Sequence, residues 1–389
     1  MSKLNLDWLL FPYSKELFAK EFFEAGYLHI SRADSQFYNH LLQIDSLDAL
    51  LGSRQFKFPA LRLTKAGEEL TSEKYANDKN IDLSSVQKYF LEGYTIILNA
   101  LHDQNQDLGE LVNVLSHDLG HPFQTNVYIT PPSSQGFPAH YDTHEVFVLQ
   151  IEGSKIWRIY NQSPEILPTK QMEYQKEKHA TPPTFTELEL KKGDLLYIPR
   201  GVMHDAQTNS ELSVHVTLGW LGYTWTDALV QMLLEFSKKH AISRKFIDPF
   251  KNKSAADLDK EFSEVMQQFI NSSNPQQSVY QFRKELAVNQ KFFFSDLLNN
   301  AVNFNQINAA TGFIKRRITS LNIIKSTDEV ILKMASREIS FPYFTFRTIE
   351  FILNRNDLFT MNDLPDDLDD EGKMVLLRRL VKEGVITIS

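Results

Sequence analysis

Between Asn126 and Leu221 the chain is cut into short apolar runs separated by Gly- and Pro-bearing turns, and this punctuation restricts its fold more than any other feature. Val127-Tyr128-Ile129 leads into the cluster Pro131-Pro132-Ser133-Ser134-Gln135-Gly136. Val146 to Ile151 and Lys155 to Tyr160 flank the tight turn Glu152-Gly153-Ser154, a pattern that predicts a hairpin. Lys191 to Asp194 turns the chain into Leu195 to Ile198, and Val214 to Leu218 closes the set. Many short strands with such turns predict a sandwich or barrel.

The flanks read differently. Ser14 to Phe23 is an amphipathic helix with Leu17, Phe18, Phe22 and Phe23 on one side, Ser46 to Leu51 a capped helical turn, and Ala60 to Leu63 a strand. After Trp225 the chain turns helical. Asp257 to Ile270 places Leu258, Phe262, Val265, Met266 and Phe269 at helical spacing, Asn271 to Gln277 is a loop, and helix resumes at Ser278 and persists to about Ile323. In the tail, from Ile331 on, Thr348 to Leu353 and Lys373 to Lys382 read as helices, Asp363 to Gly372 as an acidic loop or helix start, and Gly384 to Ile388 as a strand. Two helices and a terminal strand suggest a small winged-helix-like unit. A chain of 389 residues exceeds one compact core, so three domains are expected, at 1–225, 226–330 and 331–389. The class is α+β.

With no Cys there is no disulfide, thiolate nucleophile or thiolate metal ligand, so a metal here must rest on His, Asp and Glu. No run of eighteen apolar residues is present and Met1 to Leu10 lacks a signal-peptide pattern, which sets the expectation of a cytoplasmic protein without a membrane span. The net charge of −8 opposes a broad nucleic-acid footprint but suits a basic protein partner. The tail carries eight Lys and Arg against ten Asp and Glu, so the winged-helix-like unit is expected to be structural or to dock protein rather than DNA.

His140-Tyr141-Asp142 and the later Gly201-Val202-Met203-His204 carry the chemistry. Alternate residues on a strand share a face, so His140 and Asp142 project together, while Pro199-Arg200-Gly201 bends the chain to bring His204 from a neighbouring strand. Two imidazoles and a carboxylate occupy one face of Fe(II) and leave the opposite face open for a co-substrate and O2. Each piece alone is weak; their joint occurrence in a strand-rich segment is the signal. His144 lies on the same face and competes for a ligand position. His215, inside an apolar strand, reads as a hydrogen-bonded core histidine, and His117 and His121 as surface or supporting groups. Lys155 shares a face with Trp157, and an inward lysine needs an anion. A keto-diacid provides one, its far carboxylate pairing with the ammonium while its 2-oxo acid end chelates iron. Asn126 and Tyr128, two apart on one strand, are placed to hydrogen-bond the same molecule, or else are ordinary strand polar groups.

The run Thr125 to Pro132, then Ser134-Gln135-Gly136-Phe137 and HYDTHEVFVLQIEGSKIWRIY, resembles the ribosomal-oxygenase branch of the JmjC proteins. Arg62 to Gly67, GDLLYIPRGVMHDA and His215-Val216-Thr217-Leu218-Gly219 are similar too, and the match covers roughly residues 10 to 225. The resemblance implies a double-stranded β-helix (jelly-roll, cupin type), a helical dimerisation domain giving a homodimer, and a C-terminal winged helix. It implies Fe(II)- and 2-oxoglutarate-dependent hydroxylation, with O2, of an Arg or His of a ribosomal protein. His140, Asp142 and His204 fall on the family's metal positions and Lys155 on the position that grips the 2-oxoglutarate C5 carboxylate. Thr217 joins Asn126 and Tyr128 as a candidate co-substrate contact, whereas Gly219 departs from members with Ser. The rival readings are a cupin-type metalloenzyme acting on a small molecule and a non-catalytic protein-binding cupin.

Overall fold

The computed structural model describes residues 4–53, 56–78, 80–289, 296–316, 321–334, 337–355 and 357–389. The chain divides into two compact units, Met1–Gly222 together with Gln290–Ser389, and Tyr223–Asn289.

The strand-rich segment folds into two antiparallel sheets. The larger runs, in spatial order, Leu28–Ile30, Leu195–Ile198, Glu145–Glu152, Ser213–Trp220, Phe123–Thr130, Thr95–Asn99, Leu61–Lys65 and Glu68–Glu69. The smaller holds Phe185–Lys191, Ser154–Tyr160 and His204–Gln207.

Glu145–Glu152 is buried on both faces. Phe147, Leu149 and Ile151 turn one way, joining Val127, Val216, Leu218 and the N-terminal Leu9, Leu10 and Phe18 in the large core. Val146 and Val148 turn the other way and pack with Trp157, Ile159 and Leu190 of the small sheet and with Leu196 and Ile198. A strand covered on both sides needs apolar residues at consecutive positions, hence the unbroken run in the sequence. The second core is the seam between the sheets, and the architecture is the expected jelly-roll double-stranded β-helix.

The expected hairpin around Gly153 is not formed. Glu145–Glu152 pairs with Leu195–Ile198 and Ser213–Trp220, while Ser154–Tyr160 pairs with Phe185–Lys191 and His204–Gln207. A single residue between the two strands is too short for a two-residue hairpin turn, so the chain instead steps from one sheet to the other. Gly153 makes the step at φ 62°, where a Cβ would fall 1.9 Å from Leu212 O.

Gln290–Ser389 has its own core around Phe313, Leu332, Ile349, Leu377 and Ile386. Helices Phe346–Leu353 and Asp370–Lys382 and the strand Ile386–Ile388 match the expected elements. Helix does not persist to Ile323: Phe313–Lys315 is a strand paired with Ile386–Ile388, and Asn322–Lys325 edges a sheet with Glu329–Met334 and Arg337–Pro342. The parts of that expected helix at 290–295 and 317–320 lie outside the described residues. Such short apolar runs do not tell helix from strand by period, and here cross-strand pairing decides.

Tyr223–Asn289 contains helices Trp225–Lys239, Ala255–Ser272 and Pro275–Asn289. Capping boxes from Thr224 with Asp227 and from Ser254 with Asp257 start the first two. Met232, Phe236 and Phe269 form a small core, while Leu229, Val230, Leu233, Leu234, Phe262 and Ile270 stay exposed. Among the described residues no helix is long and apolar enough to cross a membrane.

Candidate metal centre

His140, Asp142 and His204 converge: one ligand atom from each lies within 4.8 Å of the others. The backbone fixes this approach. His140 and His204 form an isolated antiparallel bridge, with His140 N donating to His204 O at 3.0 Å and His204 N to His140 O at 2.8 Å. His140 and Asp142 therefore sit on an extended lead-in held by one bridge, not on the regular strand expected, which begins at Glu145. Gly201 N donates to Asp142 O at 2.9 Å, tying the turn before His204 to the carboxylate segment.

The electrostatics suit a cation. His140 Nδ1 lies 2.8 Å from Pro138 O and His204 Nδ1 2.9 Å from Val202 O. A carbonyl only accepts, so each Nδ1 carries a proton, and the neutral tautomer this selects presents the Nε2 lone pair. Burial and the neighbouring His140 hold His204 down to about 4, which keeps it neutral. Burial raises the Asp142 carboxyl, but His144, His140 and His204 outweigh it and leave the group below its ordinary value, ionised. Two neutral imidazole nitrogens and one carboxylate oxygen on one side form the donor set that Fe(II) takes.

Lys155 faces the interior with Trp157 and Ile159, as alternation requires, and is only 4% exposed. Its ammonium donates to Thr130 Oγ1 at 3.1 Å, and no carboxylate lies within ion-pair distance among the described residues. Burial alone pulls it from 10.5 to about 7. A contiguous wall joins this lysine to the triad. Trp157 has its ring 5.9 Å from His204 and 5.6 Å from His215, and His215 stacks on Tyr128 at 4.8 Å with planes 7° apart.

Asn126, Tyr128 and Thr217 are half-buried on the same inner face, Thr217 paired in register with Asn126 and Tyr128 with His215. Asn126 Oδ1 already accepts from Ala100 N at 3.2 Å, so its first task is structural. His144 does not join the metal cluster. Its ring lies against Gly219, where a Cβ would sit 2.9 Å from Cδ2 and 3.0 Å from Nε2, so the missing Gly219 side chain makes room for it. His117 bonds Asp118 on the exposed end of its helix, away from the cluster. His215 departs from expectation: it is buried, but its Nδ1 has no hydrogen-bond partner among the described residues. Its inward direction follows from the strand alternation that sends Val214, Val216 and Leu218 into the large core, a signal the sequence did contain.

A JmjC domain model matches residues 102–228. Fold and constellation agree with that match: the strand-rich segment is built like a JmjC domain. The chain is 32% identical over 240 residues to the bifunctional lysine-specific demethylase and histidyl-hydroxylase NO66 of Dictyostelium discoideum, covering 59% of this chain and 45% of that one. It is 30% identical to human ribosomal oxygenase 1, covering 58% of this chain and 36% of that one. The chain thus spans under half the length of these two relatives. In fold it is similar to the Escherichia coli ribosomal oxygenase YcfD solved with cobalt and 2-oxoglutarate, at a TM-score of 0.54 and 15% identity over 97% of this chain and 99% of that one.

Proposed function

We propose that the protein is an Fe(II)- and 2-oxoglutarate-dependent dioxygenase that hydroxylates an Arg or His side chain of a protein, a ribosomal one. The observation that carries this is the pairing of a two-His, one-carboxylate face with a buried cation that lacks an anion. The relatives' names, histidyl-hydroxylase and ribosomal oxygenase, supply the substrate class.

His140, Asp142 and His204 would hold the ferrous ion. Bound together, iron, 2-oxoglutarate and O2 supply the oxidising power for C–H hydroxylation, with release of succinate and CO2. Lys155 would neutralise the distal carboxylate, and Thr217, Tyr128 and Asn126 would line the co-substrate's path. The carbonyls of Pro138 and Val202 keep both imidazoles in the tautomer that presents Nε2. Trp157 and Ile159, packed between the sheets, keep bulk water from the inner wall, which strengthens the Lys155 ion pair. Incubated with Fe(II), 2-oxoglutarate and ribosomal proteins, the purified protein should form succinate in step with the gain of one oxygen atom on an Arg or His, read by mass spectrometry. Absence of both turnover and 2-oxoglutarate binding would remove the proposal.

The same reading includes a homodimer formed through the segment 226–330, a winged-helix-like unit at 331–389 and a cytoplasmic location. In support of the dimer, Leu229 and Leu233, one turn apart on one helix, are each 49% exposed. Light scattering at micromolar concentration should give twice the chain mass, and the Leu229→Asp, Leu233→Asp double variant should give a monomer.

A further inference from the structure

The inner wall contains a buried imidazole that the reaction proposed above does not use. His215 is 3% exposed and leaves Nδ1 without a hydrogen-bond partner among the described residues. An unpaired buried polar atom is costly unless something satisfies it. Its orientation is held, not loose: Tyr128 stacks on one face at 4.8 Å and the Trp157 ring meets it edge-on at 5.6 Å with planes 76° apart. Its register partner Gln150 is fully buried; its amide donates to Glu152 O and Ser213 Oγ, both at 2.8 Å, and its Oε1 is also unpaired. Two polar atoms unpaired among the described residues, on register partners, do not belong to a finished apolar core. Lys155, close enough to disfavour protonation of His215, adds a third group without a full set of partners. A neutral imidazole beside an ammonium keeps one N–H to give. Both then address an acceptor that carries negative charge.

We propose that His215 is a co-substrate-binding residue whose imidazole N–H donates to the distal carboxylate of the keto-diacid that Lys155 neutralises. This rests on the dioxygenase reading. Ammonium and imidazole would then act as a fork of two donors, with the Thr130 hydroxyl beside the first. Such a fork holds a planar carboxylate more tightly than a point charge alone and discriminates a diacid from a 2-oxo acid without the second carboxylate.

The test measures binding of 2-oxoglutarate and of 2-oxopentanoate, which has the same chelating head but no distal carboxylate, to the full chain loaded with Zn(II). His215→Phe should weaken 2-oxoglutarate about tenfold or more, leave 2-oxopentanoate unchanged, and leave Zn(II) affinity unchanged. His215→Gln, which keeps an N–H, should recover part of the loss. In the unaltered protein, the 15N resonance of the His215 ring should move on adding 2-oxoglutarate but not 2-oxopentanoate, a readout that stands even where a variant does not fold. Equal losses for both ligands, unchanged diacid affinity, or a still resonance would overturn the proposal. Where the His215 test fails, the Lys155→Ala variant separates the two levels of inference: undiminished diacid affinity there removes the dioxygenase reading as well, whereas a loss of about thirtyfold or more removes only the role of His215.

Discussion

Lys155→Ala should lose about 2–5 kcal/mol of 2-oxoglutarate binding, roughly thirtyfold to several thousandfold, while metal affinity is unaffected. The size follows from burial. At 4% exposure the ammonium has little water to fall back on and no carboxylate within ion-pair distance among the described residues, so on the proposed reading the ligand would be its counter-ion. The pH dependence carries the sharper signature. In the free protein burial holds Lys155 at about 7, well below its usual 10.5, and the bound dicarboxylate restores the charged form. Binding above pH 7 must therefore take up a proton, and affinity should fall by up to about tenfold per pH unit as pH rises through that range. Lys155→Ala should abolish the slope along with the binding. Lys155→Arg stays charged throughout, so whatever affinity it retains should not vary over the same range.

The same residue predicts an inverse effect on stability. Between pH 7 and 10.5 the unfolded chain binds the Lys155 proton and the folded chain does not, so ligand-free stability should rise with pH across that window, the burial cost being complete below it. Lys155→Met, which fills similar volume without charge, should be neutral or stabilising by about 1–4 kcal/mol and should erase the slope. Thermal unfolding of the two proteins at pH 6 and pH 9 would show it. A methionine variant that unfolds more easily at both pH values would mean that the lysine is structural.

The chain's own residues explain which of these features could be read without coordinates. Spacing carried the centre: the two-residue step from His140 to Asp142 and the bend before His204 are local facts, and local facts survive folding. The double-faced burial of Glu145–Glu152 was equally visible as a continuous apolar run. Features decided by long-range pairing were not. Gly153 looks like a hairpin turn in either case, and only the partners of the two flanking strands, set by Leu195–Ile198 on one side and Phe185–Lys191 on the other, show that it joins two sheets. Phe185–Lys191 alternates polar and apolar residues on an edge and gave little contrast. The strand at Phe313–Lys315 pairs with Ile386–Ile388, beyond the reach of a local period, whereas Asn322–Lys325 forms a local hairpin with Glu329–Met334 that its short apolar run did not separate from helix. His215 was placed correctly as buried, but no sequence pattern distinguishes an imidazole bonded in a core from one whose Nδ1 is unpaired among the described residues.

Asp142→Ala should weaken divalent-metal affinity by at least about a hundredfold, a larger effect than loss of a supporting hydrogen bond, and leave no measurable succinate formation. Cobalt(II) gives the readout through its visible absorption as well as by titration. The carboxylate supplies the only formal negative charge of the cluster, and without it two neutral imidazoles face a dication. A competing outcome has a structural source. His144 lies two residues on, against Gly219, and is the first of the imidazoles whose proximity lowers Asp142. If its ring can swing in as a replacement ligand, Asp142→Ala will keep cobalt with an altered absorption, and the Asp142→Ala, His144→Ala pair will then lose it. Gly219→Ser gives the complementary constraint. Its hydroxymethyl group would occupy the space the imidazole now uses, so His144 must move, and cobalt affinity in that variant should remain within about threefold if His140, Asp142 and His204 alone hold the metal.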